Sequence, residues 1–411
     1  MSFFKRSTPL SAHAAFIVLS VLMFFFSAQV SLTIYIDSSY LKDTIMTSPE
    51  LIGGTLSDNP DNLVGTLYTF ASLITLLALV FAPRILRKFG NYRWTLGIVV
   101  LHVLLLLGLA IFDSAWLIIP LFIIESALIS ILYFNFDIFL ERYSKIDSIG
   151  TIRGLFLVIS AIAWILPPFF AGKIADQYGF SQVYLLGALI MLPTIFIIMR
   201  YFTDFADLEY DDVPFLFTKN EASKHPNVGN ILVANFFLQF FYAWMIIYSP
   251  IYFHDSLGFS YDEFGLILMV ALSAFVIFPY PAGWLADHVM GEKEMLIGGF
   301  FLMGLSALCI PTFADSGIGI LFWIVILFIG RTGASIVEAM SETYFFKQIE
   351  GRNAGLIGYF RRSRPLAFIV APILASVLLE FNIITLHTLF YVLAAIMIFA
   401  SGYMFRLVDT K

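Results

Sequence analysis

Four ionisable residues, Glu125, Arg331, Glu338 and Glu342, interrupt long apolar stretches of the sequence. A charge at bilayer depth costs at least about 2.5–3.5 kcal/mol even on the lenient insertion scale, so such groups face protein or a watery cavity. Arg331 and Glu338 are seven residues apart, and Glu338 and Glu342 four apart, which puts the three on roughly one face of a helix. Two chemistries fit. Glu125 or Glu338 can exchange a proton with Arg331 as a conditional counter-ion, or Arg331 and a carboxylate form a fixed pair that only orients helices. Glu342 can also simply reach water at the end of its span, the role expected of Asp137 and Glu141.

Uncharged polar residues add a second group. Asn235, Gln239 and Tyr242 recur at helical spacing on one side, near Trp244, and can hydrogen-bond a solute or a neighbouring helix. Gln29, Ser31, Thr33 and Tyr35 fall at every second residue, so they cannot share one helical face. His102 reads as a packing histidine rather than a proton relay, and Phe236, Phe237, Phe240 and Phe241 as packing rather than a cofactor box. Pro167, Pro168, Pro365 and Pro372 supply kinks and need no chemical role.

Other chemistries lack their residues. No G-x-x-x-x-G-K-[ST] loop occurs, so energy from ATP would need another subunit. There is no H-E-x-x-H, the six histidines are scattered, and the one cysteine, Cys309, has no intrachain partner. No cofactor and no metal are therefore expected, and no convergent nucleophile and base can be assembled for an enzyme. Without a basic run, no nucleic-acid partner is expected either.

The elements that must position these residues follow from composition. Of 411 residues, 60% are hydrophobic and 13% charged, against about 45–50% and about 25% in soluble domains. Apolar blocks of roughly twenty residues match a bilayer core of about 30 Å. Breaks between them predict twelve helices, near 12–35, 63–82, 95–112, 116–140, 154–171 and 182–202, then 230–253, 265–282, 295–313, 317–344, 355–379 and 386–406. The 45 phenylalanines suit lipid-facing and packing positions. The first block is too long for a signal-peptide core and reads as a retained span. The expected organisation is a six-helix bundle over 1–202, a cytoplasmic linker over 203–228 and a second bundle over 229–411.

Basic residues orient the chain. With a cytoplasmic N-terminus, only Lys42 and Lys173 fall on the far side and Arg331 within a span, leaving twenty of the 23 Lys and Arg residues on the near side. Both termini are then cytoplasmic. No N-x-[ST] acceptor occurs, which fits a multi-pass protein of a bacterial inner membrane.

The halves repeat in parallel. A shift of 200 aligns Gly65 with Gly265, Ala71 with Ala271 and Ala82 with Ala282; a shift of 204 aligns Gly154 with Gly358, Phe156 with Phe360, Pro168 with Pro372 and Ala171 with Ala375. Parallel halves imply a pseudo-two-fold along the membrane normal with a central site between rocking bundles. Between helices 8 and 9 the sequence reads Gly283-Trp284-Leu285-Ala286-Asp287-His288-Val289-Met290-Gly291, close to the loop signature G-x-L-A-D-x-x-G with its last glycine one place late. Between helices 2 and 3, Pro83 to Gly90 keeps the glycine and the basic character but carries Arg87 where the signature is acidic. A third cognate, Gly172 to Phe180 with Asp176, ends helix 5 on the outer side.

On these motifs, twelve spans and a central link, the whole chain resembles the major facilitator superfamily. The resemblance implies an all-α fold of two pseudo-symmetric bundles, with helices 1, 4, 7 and 10 around a central cavity that Glu125 and Arg331 would line. It places Gly283, Asp287, Arg87 and Gly90 in gate loops. Asp287 would face the start of helix 5, around Gly150 to Arg153, as a carboxylate against a positive helix end. Arg87 would face Arg361, Arg362 and Arg364, a latch weakened by like charge; alternatively Arg87 and Lys88 bind anionic lipid headgroups. The implied function is secondary active transport of a small organic solute by alternating access. It is driven by a coupling ion, expected to be the proton, in a monomer within the lipid bilayer, as symporter or antiporter, with export of an amphipathic compound the first reading. A gradient-independent facilitator of the same fold and a non-transporting scaffold or receptor-like protein are the alternatives.

Overall fold

The computed structural model describes residues 12–48, 59–143, 158–205, 207, 226–348, 354–381 and 383–408. The described residues form helices without strands, and twelve stretches are long and apolar enough to cross a membrane. Span 1 is a broken helix, α1 (Ala12–Thr33) and α2 (Asp37–Met46). Spans 2 to 4 are α3 (Pro60–Phe89), α4 (Asn91–Ile111) and α5 (Ala115–Tyr143). Span 5 (Val158–Tyr178) turns at 164–166 before α6 (Pro167–Tyr178), and span 6 is α7 (Phe180–Tyr201). Span 7 is α8 (Pro226–Ile251), ending in a π-helical turn over Tyr252–Ser256. Span 8 joins α9 (Tyr261–Leu272), α10 (Ala274–Ile277) and α11 (Pro279–His288). Spans 9 to 12 are α12 (Glu292–Thr312), α13 (Ile320–Gln348), α14 (Ala354–Glu380) and α15 (Leu389–Tyr403). Most of the expected linker over 203–228, and Gly150 to Arg153, lie outside the described residues.

Local chemistry sets several helix ends. The Asn59 side chain accepts from the Asp61 N–H at 3.0 Å, with Pro60 in the first turn, and so starts α3. Ser260 and Glu263 form a reciprocal capping box on α9. Gly90, at φ 75°, turns the chain from α3 into α4 within one residue, a conformation that glycine adopts without Cβ strain.

Two boundaries differ from the sequence expectation. Span 1 does not stop near residue 35 but continues through α2 to Met46. Asp37, Ser38, Ser39 and Thr44 interrupt its hydropathy, yet all four are buried against protein rather than lipid. Helices α3 and α11 also run through their signature stretches, so 83–89 and 283–288 are helical and the turns fall at Gly90 and 289–291. A helix of 30 residues is about 45 Å long and overshoots the apolar core, carrying its charged end into the headgroup layer.

Bulky apolar side chains such as Phe196, Phe301, Leu321 and Phe399 cover the outside. One end of the bundle carries Arg84, Arg87, Lys88, Arg200, Lys293, Lys347, Arg361 and Arg406 and is the basic face; Lys42 and Lys173 lie toward the opposite face.

On that opposite face the halves meet in pairs related by the repeat. A Cβ on Gly65 would come within 3.6 Å of Pro372 and closer still to the Tyr248 hydroxyl, so span 2 packs tightly on spans 7 and 11. Gly265 stands in the mirrored position: its Cβ would lie 2.4 Å from the Pro168 carbonyl oxygen, so span 8 packs backbone to backbone on span 5. Exchanging the halves turns Gly65 into Gly265 and Pro372 into Pro168, the alignment read from sequence. The rims match too. Asn62 donates to the Glu380 carboxylate between spans 2 and 11. Between spans 8 and 5, the Tyr261 and Asp262 N–H groups donate to Asp176 at 3.2 and 2.7 Å.

Candidate functional site

The break in span 1 brings unlike residues to the middle of the molecule. Asp37 opens α2, where the partial positive charge of a helix N-terminus favours a carboxylate. It is 3% exposed and accepts a 2.6 Å hydrogen bond from the Tyr184 hydroxyl of span 6. Glu125, in span 4, is 1% exposed and close enough to Asp37 for the carboxyl groups to interact electrostatically; Tyr68 of span 2 is within electrostatic reach of both. One Glu125 oxygen, Oε1, has no hydrogen-bond partner.

The nearest ring nitrogen to that oxygen is His102 Nε2 at 3.8 Å, which engages Gln29 Oε1 at 2.8 Å instead. Its other nitrogen, Nδ1, is buried without a partner. An imidazolium would strand a second N–H there, so the hydrogen bonding favours neutral His102 donating from Nε2. Gln29 in turn donates weakly to Thr33 at 3.4 Å. The other polar residues of span 1 diverge as their spacing demands: Ser31 donates to the Trp164 carbonyl at 2.9 Å, and Tyr35 points to the other half.

In the second half, Arg331 is 2% exposed and lies over three rings, Tyr35, Phe241 and Tyr242, at 5.6, 5.8 and 5.9 Å. Among the described residues it has no carboxylate within ion-pair distance, and its Nη2 lacks a hydrogen-bond partner. Aromatic faces take the place of the expected acidic counter-ion. Tyr242 connects the group, because its ring lies under Arg331 while its hydroxyl donates to Glu338 at 3.0 Å. Glu342 lies nearer the basic face, 3.6 Å from Arg361, which also approaches Asp137 of the first half at 3.8 Å. Asn235 is spent on the Phe360 carbonyl of span 11 at 3.0 Å, and Gln239 is half-buried.

A cavity of about 60 Å³ opens between the halves. Its wall includes Asp37, Tyr68, Ser72, Thr75 and Ser130 from the first half and Arg364 from the second. Asp37 and Arg364 escaped the sequence reading, one taken as loop and the other as part of a basic gate cluster. The signal that could have found Asp37 is an acidic residue directly continuing an apolar run.

The gate residues take separate places. Asp287 is 3.3 Å from Lys347, which also pairs with Glu292 at 2.5 Å, so this carboxylate is tied within its own half. Gly283 sits inside α11, where a side chain would meet nothing within 4 Å. Arg87 occupies the exposed last turn of α3, the end of a helix that favours a cation. Gly90 packs against Asp207, whose carboxylate accepts from the Asn91 N–H at 2.7 Å and caps α4.

Residues 231–411 match the family model of the Major Facilitator Superfamily. Over those residues, a little under half of its length, the chain is similar to that superfamily. The sequence match covers the second half, and the fold carries the likeness across the rest. Two solved structures superpose over 96% of this chain at 10% identity each. One is an auto-inhibited POT family peptide transporter, with a TM-score of 0.76 over 98% of its length. The other is the nucleoside transporter NupG, with a TM-score of 0.70 over 99% of its length. No curated protein matches this chain in sequence. The likeness over residues 231–411 supports membrane transport by this multi-pass protein.

Proposed function

We propose that this protein is a transporter of the Major Facilitator Superfamily that moves a small organic solute by proton-coupled secondary transport, with Glu125 as its proton-binding residue. The observation that carries the reading is a 1%-exposed carboxyl group with one unpartnered oxygen beside a neutral imidazole and a second carboxyl group. An ionised carboxylate so placed is costly, and taking a proton removes most of that cost. When the bundles rock, water reaching the cavity from the other side stabilises the ionised form and releases the proton. The groups facing Glu125 are Asp37, Tyr68, His102 and Tyr184, from spans 1, 2, 3 and 6. Arg331 and Glu338 form a separate group joined by Tyr242, and we assign them to the same cavity in its other conformation.

The excess of Lys and Arg supports a cytoplasmic basic face, with both termini inside and the closed face outward, in the manner of a bacterial inner-membrane protein. Residues 1–202 and 229–411 are the moving bodies, joined by the segment between them.

Proteoliposomes containing only this chain test the reading. A transported solute should drive a pH change inside the vesicles that Glu125→Gln abolishes while solute counterflow persists. Counterflow with no pH change in the unmodified chain would mean a facilitator, and no exchange across a broad solute panel would mean a scaffold.

A further inference from the structure

Asp37 and Arg364 stand on the wall of one cavity, come from different halves and do not pair with each other within 4 Å. Asp37 accepts from the uncharged Tyr184 hydroxyl, and Arg364 lies over the rings of Phe368 and Tyr133 at 5.5 and 6.0 Å. Two opposite charges thus face the same space, neither neutralised by an ion pair among the described residues. The same wall carries the hydroxyl groups of Ser72, Thr75, Ser130 and Tyr68 among apolar side chains. The Tyr68 hydroxyl is buried at 5% exposure and has no hydrogen-bond partner, which leaves a polar atom on the wall unsatisfied.

We infer that this cavity binds a short zwitterion, with its ammonium group toward Asp37, its acid group toward Arg364 and the wall hydroxyls along its backbone. The inference rests on the transport reading and names the substrate class of the same site. A simple cation would leave Arg364 unmatched, and a simple anion would leave Asp37 unmatched. An apolar compound would bury both without compensation. A volume of about 60 Å³ is room for roughly four to six waters at about 10–15 Å³ each, the scale of a molecule with few heavy atoms. Ile34, Ile129, Pro365 and Phe368 also line the wall, so the zwitterion narrows the amphipathic solute expected from the sequence to one that is short and carries both charges. Since the charges come from opposite halves, a zwitterion between them would also draw the bundles together.

Thermal shift of the purified full chain tests the assignment with four probes of similar length: β-alanine, propionate, propylamine and 1,3-propanediol, at constant ionic strength. β-Alanine should raise the melting temperature with an apparent affinity at least about tenfold better than either singly charged probe, and the diol should do nothing. Asp37→Asn keeps an acceptor for Tyr184 and should erase the preference for β-alanine over propionate. Arg364→Gln should erase its preference over propylamine. Tyr68→Phe, a milder change, should weaken β-alanine alone. The assignment is overturned if a singly charged probe matches β-alanine, if the preference survives both charge substitutions, or if no probe acts at 50-fold molar excess over the protein and upward to about 50 mM. In that last case, counterflow of another solute would leave the transport reading standing. Binding of β-alanine without exchange in proteoliposomes would instead keep the pocket and remove transport.

Discussion

At the scale of single residues, burial and partner together decide which charges matter. Glu125 and Arg331 were legible in the sequence because each interrupts an apolar run, where a charge needs a reason. Their partners were not legible. Arg331 stacks on Tyr35, Phe241 and Tyr242 instead of pairing with Glu125 or Glu338, since ring faces cannot be told from ordinary packing aromatics in a chain with 45 phenylalanines. A buried guanidinium lacking an acidic partner stabilises little, and cation–π contacts return only about 0.5–2 kcal/mol. Arg331→Met should therefore leave the melting temperature unchanged or raised while transport is lost. A fall of more than about 8 °C, with transport retained, would mark Arg331 as structural. Tyr242→Phe leaves Glu338 without its hydroxyl donor; scanning fluorimetry should show a loss of about 1–3 kcal/mol if Glu338 is ionised there, and little change if it is protonated.

At the scale of elements, helix termini and close approaches hold the two halves on the face opposite the basic one. Asp176 accepts from two N–H groups at the start of α9, which is the carboxylate-on-helix-end arrangement expected on the other face for Asp287. The chemistry of the signature was legible, but its location was not, because sequence cannot say which of the three cognate loops is engaged in a given conformation. Lys42 strengthens the same face by pairing with Asp61 at 2.5 Å in its own half and Asp255 at 2.6 Å in the other. Helix-end interactions of this kind contribute about 0.3–2 kcal/mol, so Asp176→Ala should raise thiol labelling of a cavity cysteine from that face by about two- to thirtyfold. Gly172 sets a sterner limit: a Cβ there would lie 2.0 Å from the Tyr261 carbonyl oxygen. Gly172→Leu should hold the opposite face open, with constant labelling from that side and no counterflow. Normal counterflow in this variant would mean that the contact is not needed for the cycle.

At the scale of the whole molecule, the repeat read from a handful of identities corresponds to real contacts. Gly65 and Gly265, with Pro372 and Pro168, mark the two crossings where the halves touch, and Asn62 with Glu380 mirrors Asp262 with Asp176. The fold was legible because bilayer thickness imposes block length and the parallel repeat imposes pairing. The first span was misjudged because polar residues of α2 face protein, a distinction hydropathy does not make. The cavity was the least legible part. Asp37 and Arg364 are more than three hundred residues apart, and only the packing of the two halves brings them to one wall.

The central claim, that proton occupancy of Glu125 biases the alternation, can be tested without knowing the substrate. With Cys309→Ser as background, Ser130→Cys places a thiol on the cavity wall, and its maleimide labelling rate can be followed from about pH 5.5 to 8 in the presence and absence of Glu125→Gln. Taking the ratio of the two rates removes the pH dependence of the thiol itself. Coupling of typical size predicts a ratio that changes at least about fivefold across this range. A ratio that stays constant would contradict the claim, because Glu125 would then have no part in the pH response of the cavity.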